Sequence, residues 1–244
     1  MDKHFSQGLQ FSANYAWQRA LNDGGDYQEI DRAVDYGRYD DLREQQLTLF
    51  GNYELPFGRN RMFANGEPAW VNYIIGGYQL STSLNLAGGL PFTPSYGECG
   101  TDIPAGPCMP NKTVSRLPLA LTSFSTASHS RTYFLPGLPF GTNGSASGVF
   151  TRPNIAQFGN VGRNNYFGPS FFSDDLSLLK NFPIHESIEG QFRVDAFNGF
   201  NYIAPGNPNG TCIDCAAAGS NGVITGMALG SLPRQLQFAI TVKF

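Results

Sequence analysis

The chain has 244 residues, 19 acidic against 16 basic side chains, and a charged content of 14%, well below the roughly 25% of ordinary soluble domains. Its acidic balance argues against a nucleic-acid partner, which would need a basic surface. No stretch approaches the ~18 apolar residues of a membrane helix. Aromatics reach 14%, led by 20 Phe and 11 Tyr, and 29 Gly and 16 Pro punctuate the chain, yet mean hydropathy is below zero. That mixture suits strands with one lipid-facing and one wet face better than a packed soluble core. The opening Met1-Asp2-Lys3-His4-Phe5-Ser6-Gln7-Gly8 lacks the apolar stretch of a secretory signal. The expectation is therefore either an export segment upstream or a cytosolic protein.

Period-two alternation recurs six times. In the first segment Leu9, Phe11, Ala13, Tyr15 and Trp17 oppose Gln10, Ser12, Asn14 and Ala16. A polar connection over about 19–41 follows; residues 29–47 also read as a short amphipathic helix. The second segment sets Leu47, Leu49, Gly51 and Tyr53 against Gln46, Thr48, Asn52 and Glu54, with Phe50 out of pattern. A shorter turn starting at Leu55-Pro56-Phe57-Gly58 leads to the third segment. There Tyr78, Leu80, Thr82, Leu84 and Leu86 oppose Gln79, Ser81, Ser83, Asn85 and Ala87.

A connection over about 90–170, rich in Gly, Pro, Ser and Asn, precedes the fourth segment. That segment has Phe172, Leu176, Leu178 and Phe182 on one face, and Asp174, which shares it, is expected at the rim. A tight Pro183-Ile184-His185-Glu186 turn joins it to the fifth, where Ile188, Phe192, Val194 and Ala196 oppose Glu189, Gln191, Arg193 and Asp195. After a connection over about 201–231, the sixth sets Leu236, Phe238, Ile240, Val242 and Phe244 against Gln235, Gln237, Thr241 and Lys243. Segments of roughly 9–13 residues match the ~9–11 of a tilted membrane strand and exceed the ~5–6 of soluble strands. The connections alternate long and short, as outer-membrane barrels do with long extracellular loops and short periplasmic turns. The fold predicted is all-β: an antiparallel up-and-down transmembrane β-barrel fragment of about six long strands.

Several stretches resemble the late barrel strands of TonB-dependent receptors: Gly76-Gly77-Tyr78-Gln79-Leu80-Ser81, Gly89-Leu90-Pro91-Phe92-Thr93, Phe158-Gly159-Asn160-Val161-Gly162-Arg163-Asn164, and Gln191-Phe192-Arg193-Val194-Asp195-Ala196-Phe197-Asn198-Gly199-Phe200-Asn201. Leu55-Pro56-Phe57-Gly58, the run from Asp175 to Phe182 and the ending from Pro233 to Phe244 belong to the same set, which covers most of 40–244 outside about 94–150. The subgroup most resembled is the Oar-like receptors with a carboxypeptidase-regulatory-like N-terminal domain. The resemblance implies a barrel of about 22 strands around a plug, importing a ligand with energy drawn through TonB. Residues 1–244 would be its C-terminal part, with the plug, the TonB-contacting region and the earlier strands absent; about 8 strands is the lower limit for closure. Implied partners are outer-membrane lipid, the outer-membrane assembly machinery and TonB through the absent part, in the outer membrane of a Gram-negative-type bacterium.

The terminal alternation Phe238, Ile240, Val242 and Phe244 resembles the signal read by that assembly machinery, which captures a strand edge by β-augmentation. Tyr15, Trp17, Trp70, Tyr73, Phe92, Phe172 and Phe182 are expected in the aromatic girdles. Cys99 and Cys108 have a spacing that a local disulfide can bridge, and Cys212-Ile213-Asp214-Cys215 is a CxxC without the helix N-terminus a redox thiol needs. Loop disulfides in an oxidising compartment are the expectation, with pairing between the two loops left open. Glu189, Gln191, Arg193 and Asp195 read as lumen-lining polar groups rather than an acid/base set. The scattered His4, His129 and His185 make no ligand pattern, and Gly144-Ser145-Ala146-Ser147-Gly148 has Ala where a nucleophile would stand. No catalytic residue, metal or cofactor is predicted, and the chain reads as a non-enzyme. The competing reading, a secreted soluble β-sandwich adhesin or carbohydrate-binding-like protein, leaves the C-terminal Phe and the loop rhythm unexplained.

Overall fold

The alternating segments become the long strands of a single sheet. The computed structural model describes residues 2–4, 8–24, 32–59, 61–94, 109–112, 131–132, 150–151, 153, 157–185, 188–208 and 223–244. The large sheet contains β1 (Asp2–His4), β2 (Leu9–Trp17), β3 (Gln45–Glu54), β4 (Tyr78–Ala87), β5 (Phe171–His185), β6 (Ile188–Phe197) and β7 (Gln235–Lys243). Spatial order equals chain order and every neighbouring pair is antiparallel, so the sheet is an up-and-down meander. Only β1 lies outside the six predicted segments. β1 and β7 are the two edges and do not pair with each other, so the sheet is not closed.

Register turns the alternation of single strands into rows across the sheet, because paired residues point to the same side. One row runs Leu9, Tyr53, Leu80, Leu178, Val194, Phe238. The next, one residue along and on the opposite face, runs Gln10, Asn52, Ser81, Ser177, Asp195, Gln237. Among the described residues no second sheet covers the apolar face: Leu80, Leu178 and Phe238 are exposed. The described residues therefore contain one large sheet with a bare apolar side, not the two packed layers of a sandwich. Phe182 packs its ring over Gly190 on the apolar face, where an added Cβ would collide with it.

The connections at one end, 18–44, 88–170 and 198–234, are joined by two-residue ladders. Leu21–Asn22 pairs with Gly37–Arg38, Pro91–Phe92 with Tyr166–Phe167, and Asn111–Lys112 with Phe150–Thr151. Arg131–Thr132 pairs with Val223–Ile224, which ties two different connections together. The buried apolar residues gather here: Phe150 packs edge-on against Tyr166 at 5.8 Å, and Val161 and Ala204 are fully covered. Phe92, expected in a membrane girdle, belongs to this cluster instead; it is buried and lies 6.0 Å from the Tyr166 ring. Burial also pushes the Tyr166 hydroxyl up from its ordinary pKa.

Three further sequence expectations change. The amphipathic reading of 29–47 reduces to a single turn, α1 (Arg32–Asp35), before the chain pairs at Gly37–Arg38. The turn after Leu55 is a longer connection carrying α2 (Ala69–Ile75). Seven residues give too little periodicity to announce a helix, and tertiary contacts fix this one: the Asn72 Oδ1 accepts the Arg59 backbone N–H at 2.6 Å. The strand-four turn starts later than expected, because β5 continues through Pro183 to His185, with a register shift between those two residues. Proline, lacking an N–H, is tolerated at such an irregularity.

If the apolar face meets lipid, Leu178→Arg should cost about 2–4 kcal/mol of stability, whereas Ser177→Ala, one residue along on the wet face, should cost about 1 kcal/mol. Denaturant titration of the protein folded into phospholipid vesicles measures both; equal losses would reject the assignment of faces.

Candidate functional site

The polar face is concave. A trough of about 700 Å³ opens on it, floored by Asn52, Ser81, Ser83, Asp175, Ser177 and Asp195, with Phe50 and Phe197 among its lining. Phe50, out of pattern in the sequence, stands on this face because its register partner is Ser83. Hydrogen bonds knit the floor. Asn52 Oδ1 accepts from Gln79 Nε2 at 2.7 Å and from Ser81 Oγ at 3.0 Å, and Ser177 Oγ donates to Asp195 Oδ1 at 2.6 Å. Asp195 Oδ2 pairs with Arg193 Nε at 2.9 Å, and Gln191 Nε2 donates to Asn181 Oδ1 at 3.0 Å. The predicted row Glu189, Gln191, Arg193, Asp195 thus stands on the concave face of β6, its last two members bonded to one another. Such a surface can hydrogen-bond water or a polar solute.

A second constellation fastens the long connections. Arg163 Nη1 donates to Asn22 Oδ1 at 2.6 Å and to the Asp35 carbonyl at 3.2 Å, while its Nη2 reaches Asp40 Oδ2 at 2.5 Å. The neighbouring Asn164 sits at φ 52, a left-handed conformation that Asn adopts more readily than most residues. Its Nδ2 donates to Asp40 Oδ1 at 2.6 Å and to the Arg38 carbonyl at 2.7 Å, and its backbone N–H donates to Thr93 Oγ1 at 2.7 Å. Arg38 in turn binds Glu44 at 2.8 Å and lies 4.9 Å from the Phe167 ring centroid. Gly37 is required at its position, since a Cβ would come within 2.6 Å of the Arg163 carbonyl oxygen. One Arg-Asn pair thereby joins 18–44 to 88–170.

A third constellation sets the approach to β7. Asp174 and Asp175 point to opposite faces of β5 and grip the turn after β6 from both sides. Asp174 Oδ2 accepts the Phe200 N–H at 3.0 Å, and Asp175 Oδ1 accepts the Asn198 N–H at 3.2 Å. Asp174 is at the strand end, as expected, but is buried beneath this turn rather than open to water. Asn198 Nδ2 donates to the Tyr202 and Leu232 carbonyls at 3.0 and 2.7 Å, and Asn201 Oδ1 accepts the Arg234 N–H at 3.2 Å. Leu232 and Arg234 immediately precede β7. Asn198 and Asn201 both take positive φ, 50 and 54.

The terminal-strand residues Phe238, Ile240 and Val242 lie on the apolar face of edge strand β7, and Phe244 follows it, almost fully exposed. Of the expected girdle aromatics, Tyr15, Trp17, Trp70 and Tyr73 are exposed. Phe172 stacks on Phe200 at 6.3 Å near the long connections, and Phe182 meets Tyr73 at 6.1 Å at the opposite end. Cys99, Cys108, Cys212 and Cys215 lie outside the described residues. The roles of Arg163, Asn164, Asp174 and Asn198 escaped sequence reasoning. Arg163, Asn164 and Asn198 were signalled only by Gly-Asn-rich stretches, which mark a turn without naming its partner, and Asp174 only by a charge on an apolar face.

A family model described as an outer membrane beta barrel domain matches residues 1–237. Among curated proteins and among solved structures, none matches the chain.

Asn198→Asp keeps the shape of the side chain while removing both donors to Tyr202 and Leu232. The expected loss is about 1–2 kcal/mol, because two part-buried carbonyls each lose a donor and face a carboxylate instead. It is measured as a lower unfolding temperature of the reconstituted protein; an unchanged transition would show that this lock does not hold the start of β7.

Proposed function

The chain belongs to the outer membrane β-barrel domain family, and from that premise we propose that it is one arc of a large TonB-dependent receptor barrel of the Oar-like subgroup, importing a ligand that its own residues do not identify. The protein resides in the outer membrane of a Gram-negative-type bacterium. The observation that carries the proposal is the shape of the sheet. Five neighbouring strands, β2 to β6, line a wet concave face, yet the edge strands β1 and β7 do not pair with each other. Hydrocarbon offers no partner to an open edge, each unsatisfied backbone group costing several kcal/mol. A sheet of this kind needs further strands to complete a barrel, and the resemblance of its motifs to late receptor strands supplies their source.

On this reading β7 is the closing strand, 18–44, 88–170 and 198–234 are extracellular, and 55–77 and 186–187 are periplasmic. The tied cap of long connections stands over the mouth of the lumen, and the hydrogen-bonded row on the concave face faces the plug and the passing ligand. TonB would be engaged through a part of the protein outside this chain, and no reaction chemistry is assigned to the residues present. Phe238, Ile240, Val242 and Phe244 serve as the assembly signal on the exposed edge.

Peptide mapping of outer-membrane proteins tests the proposal. Peptides of this chain should migrate in one band well above its 26.6 kDa, together with sequence for a plug and earlier strands. A folded outer-membrane species of 26.6 kDa that accounts for all of those peptides would reject it. Deleting Phe244 from the natural protein should lower its surface level several-fold, read by surface biotinylation; an unchanged level removes the signal role of that residue.

A further inference from the structure

Helix α2, in the connection between β3 and β4, has no buried residue. Trp70, Tyr73 and Ile74, spaced i, i+3 and i+4, fall on one side of it, and all three are exposed. A short apolar helix edge in water would be a liability, yet this one is rigidly mounted. Its Asn72 side chain accepts the Arg59 N–H at 2.6 Å, and a Cβ on either Gly58 or Gly76 would crowd that same Asn72. At its C-terminal end Lys180 Nζ donates to the Gly76 carbonyl, where a cation is favoured by the helix dipole. The Lys180 ammonium also sits 4.5 Å from the Tyr78 ring centroid.

The mounting decides which way the apolar side faces. Lys180, Tyr78 and Phe182 all belong to the apolar face of the sheet, by register with Phe192 and Gly190. The Tyr73 ring meets Phe182 edge-on at 6.1 Å. The helix is therefore docked against the lipid-facing side of β5, at the end away from the long connections, and its exposed residues continue that surface.

We propose that α2 is an interfacial anchor, with Trp70, Tyr73 and Ile74 inserted among the phospholipids of the leaflet at that end of the barrel. Trp and Tyr favour this depth because their rings are amphipathic, and a helix with one apolar side can lie in the interface plane. The proposal rests on the outward assignment of the apolar face, and its occupant is lipid, because the patch is continuous with that face and the Lys180 ammonium beside it is directed to the helix end and to an aromatic ring.

The experiment places the photoreactive benzoylphenylalanine at position 70 or, separately, at position 178 of the full-length protein in native outer membranes. Mass spectrometry of the irradiated peptides reads the products. The expected result is phospholipid adducts at both positions, with yields agreeing within about threefold, since both are lipid-exposed side chains. Adducts at 178 with none at 70, or with a protein crosslink at 70, would overturn the anchor while leaving the barrel face intact. Absence of lipid adducts at 178 would overturn the face assignment itself, and the anchor with it.

Discussion

Inside a bilayer every backbone N–H and C=O must find its partner within the protein, because hydrocarbon supplies none. The meander meets that demand locally: β2 to β6 each pair with chain neighbours on both sides. The demand is left open at the margins. β1 covers β2 only from Gln10 to Ser12, and the outer edge of β7 has no partner among the described residues. A bare apolar face, a wet concave face and two margins without partners among the described residues mark the sheet as a wall rather than as one layer of a packed core.

The same constraint relocates the core. In a soluble domain Leu80, Leu178 and Phe238 would be covered by a second layer; here they are left open while Phe150, Val161 and Ala204 are buried among the long connections. Polar specificity follows the same division. The concave rows hold one another through short side-chain bonds such as Ser177 to Asp195, whereas the connections are organised by a few multiply bonded groups, Arg163, Asn164 and Asn198. Truncating a connection therefore threatens its neighbours, because Arg163 spans two of them.

Strand positions were legible because a period of two is a strong local signal; β2 and β4 begin and end where the alternation does. Faces were legible for the same reason, including the outlier Phe50. The closure of the long connections was not, since Arg163 meets Asn22 across 141 residues and nothing local marks that partnership. α2 was missed because seven residues pinned by one Asn side chain carry no usable periodicity. Phe92 was misplaced because proximity to a strand end cannot distinguish a ring that turns outward to lipid from one that folds into a loop cluster.

The strictly sequential order of the sheet bears on how the protein is built. Strand pairs such as β5–β6, joined through 186–187, can zip with little loop entropy to overcome. The Arg163 clamp has no such shortcut, because Asn22, Asp35 and Asp40 lie 141, 128 and 123 residues away and reach it only once β2 to β5 stand side by side. The outer cap can therefore be fastened only where the strands below it already stand in chain order, so its closure reports on theirs.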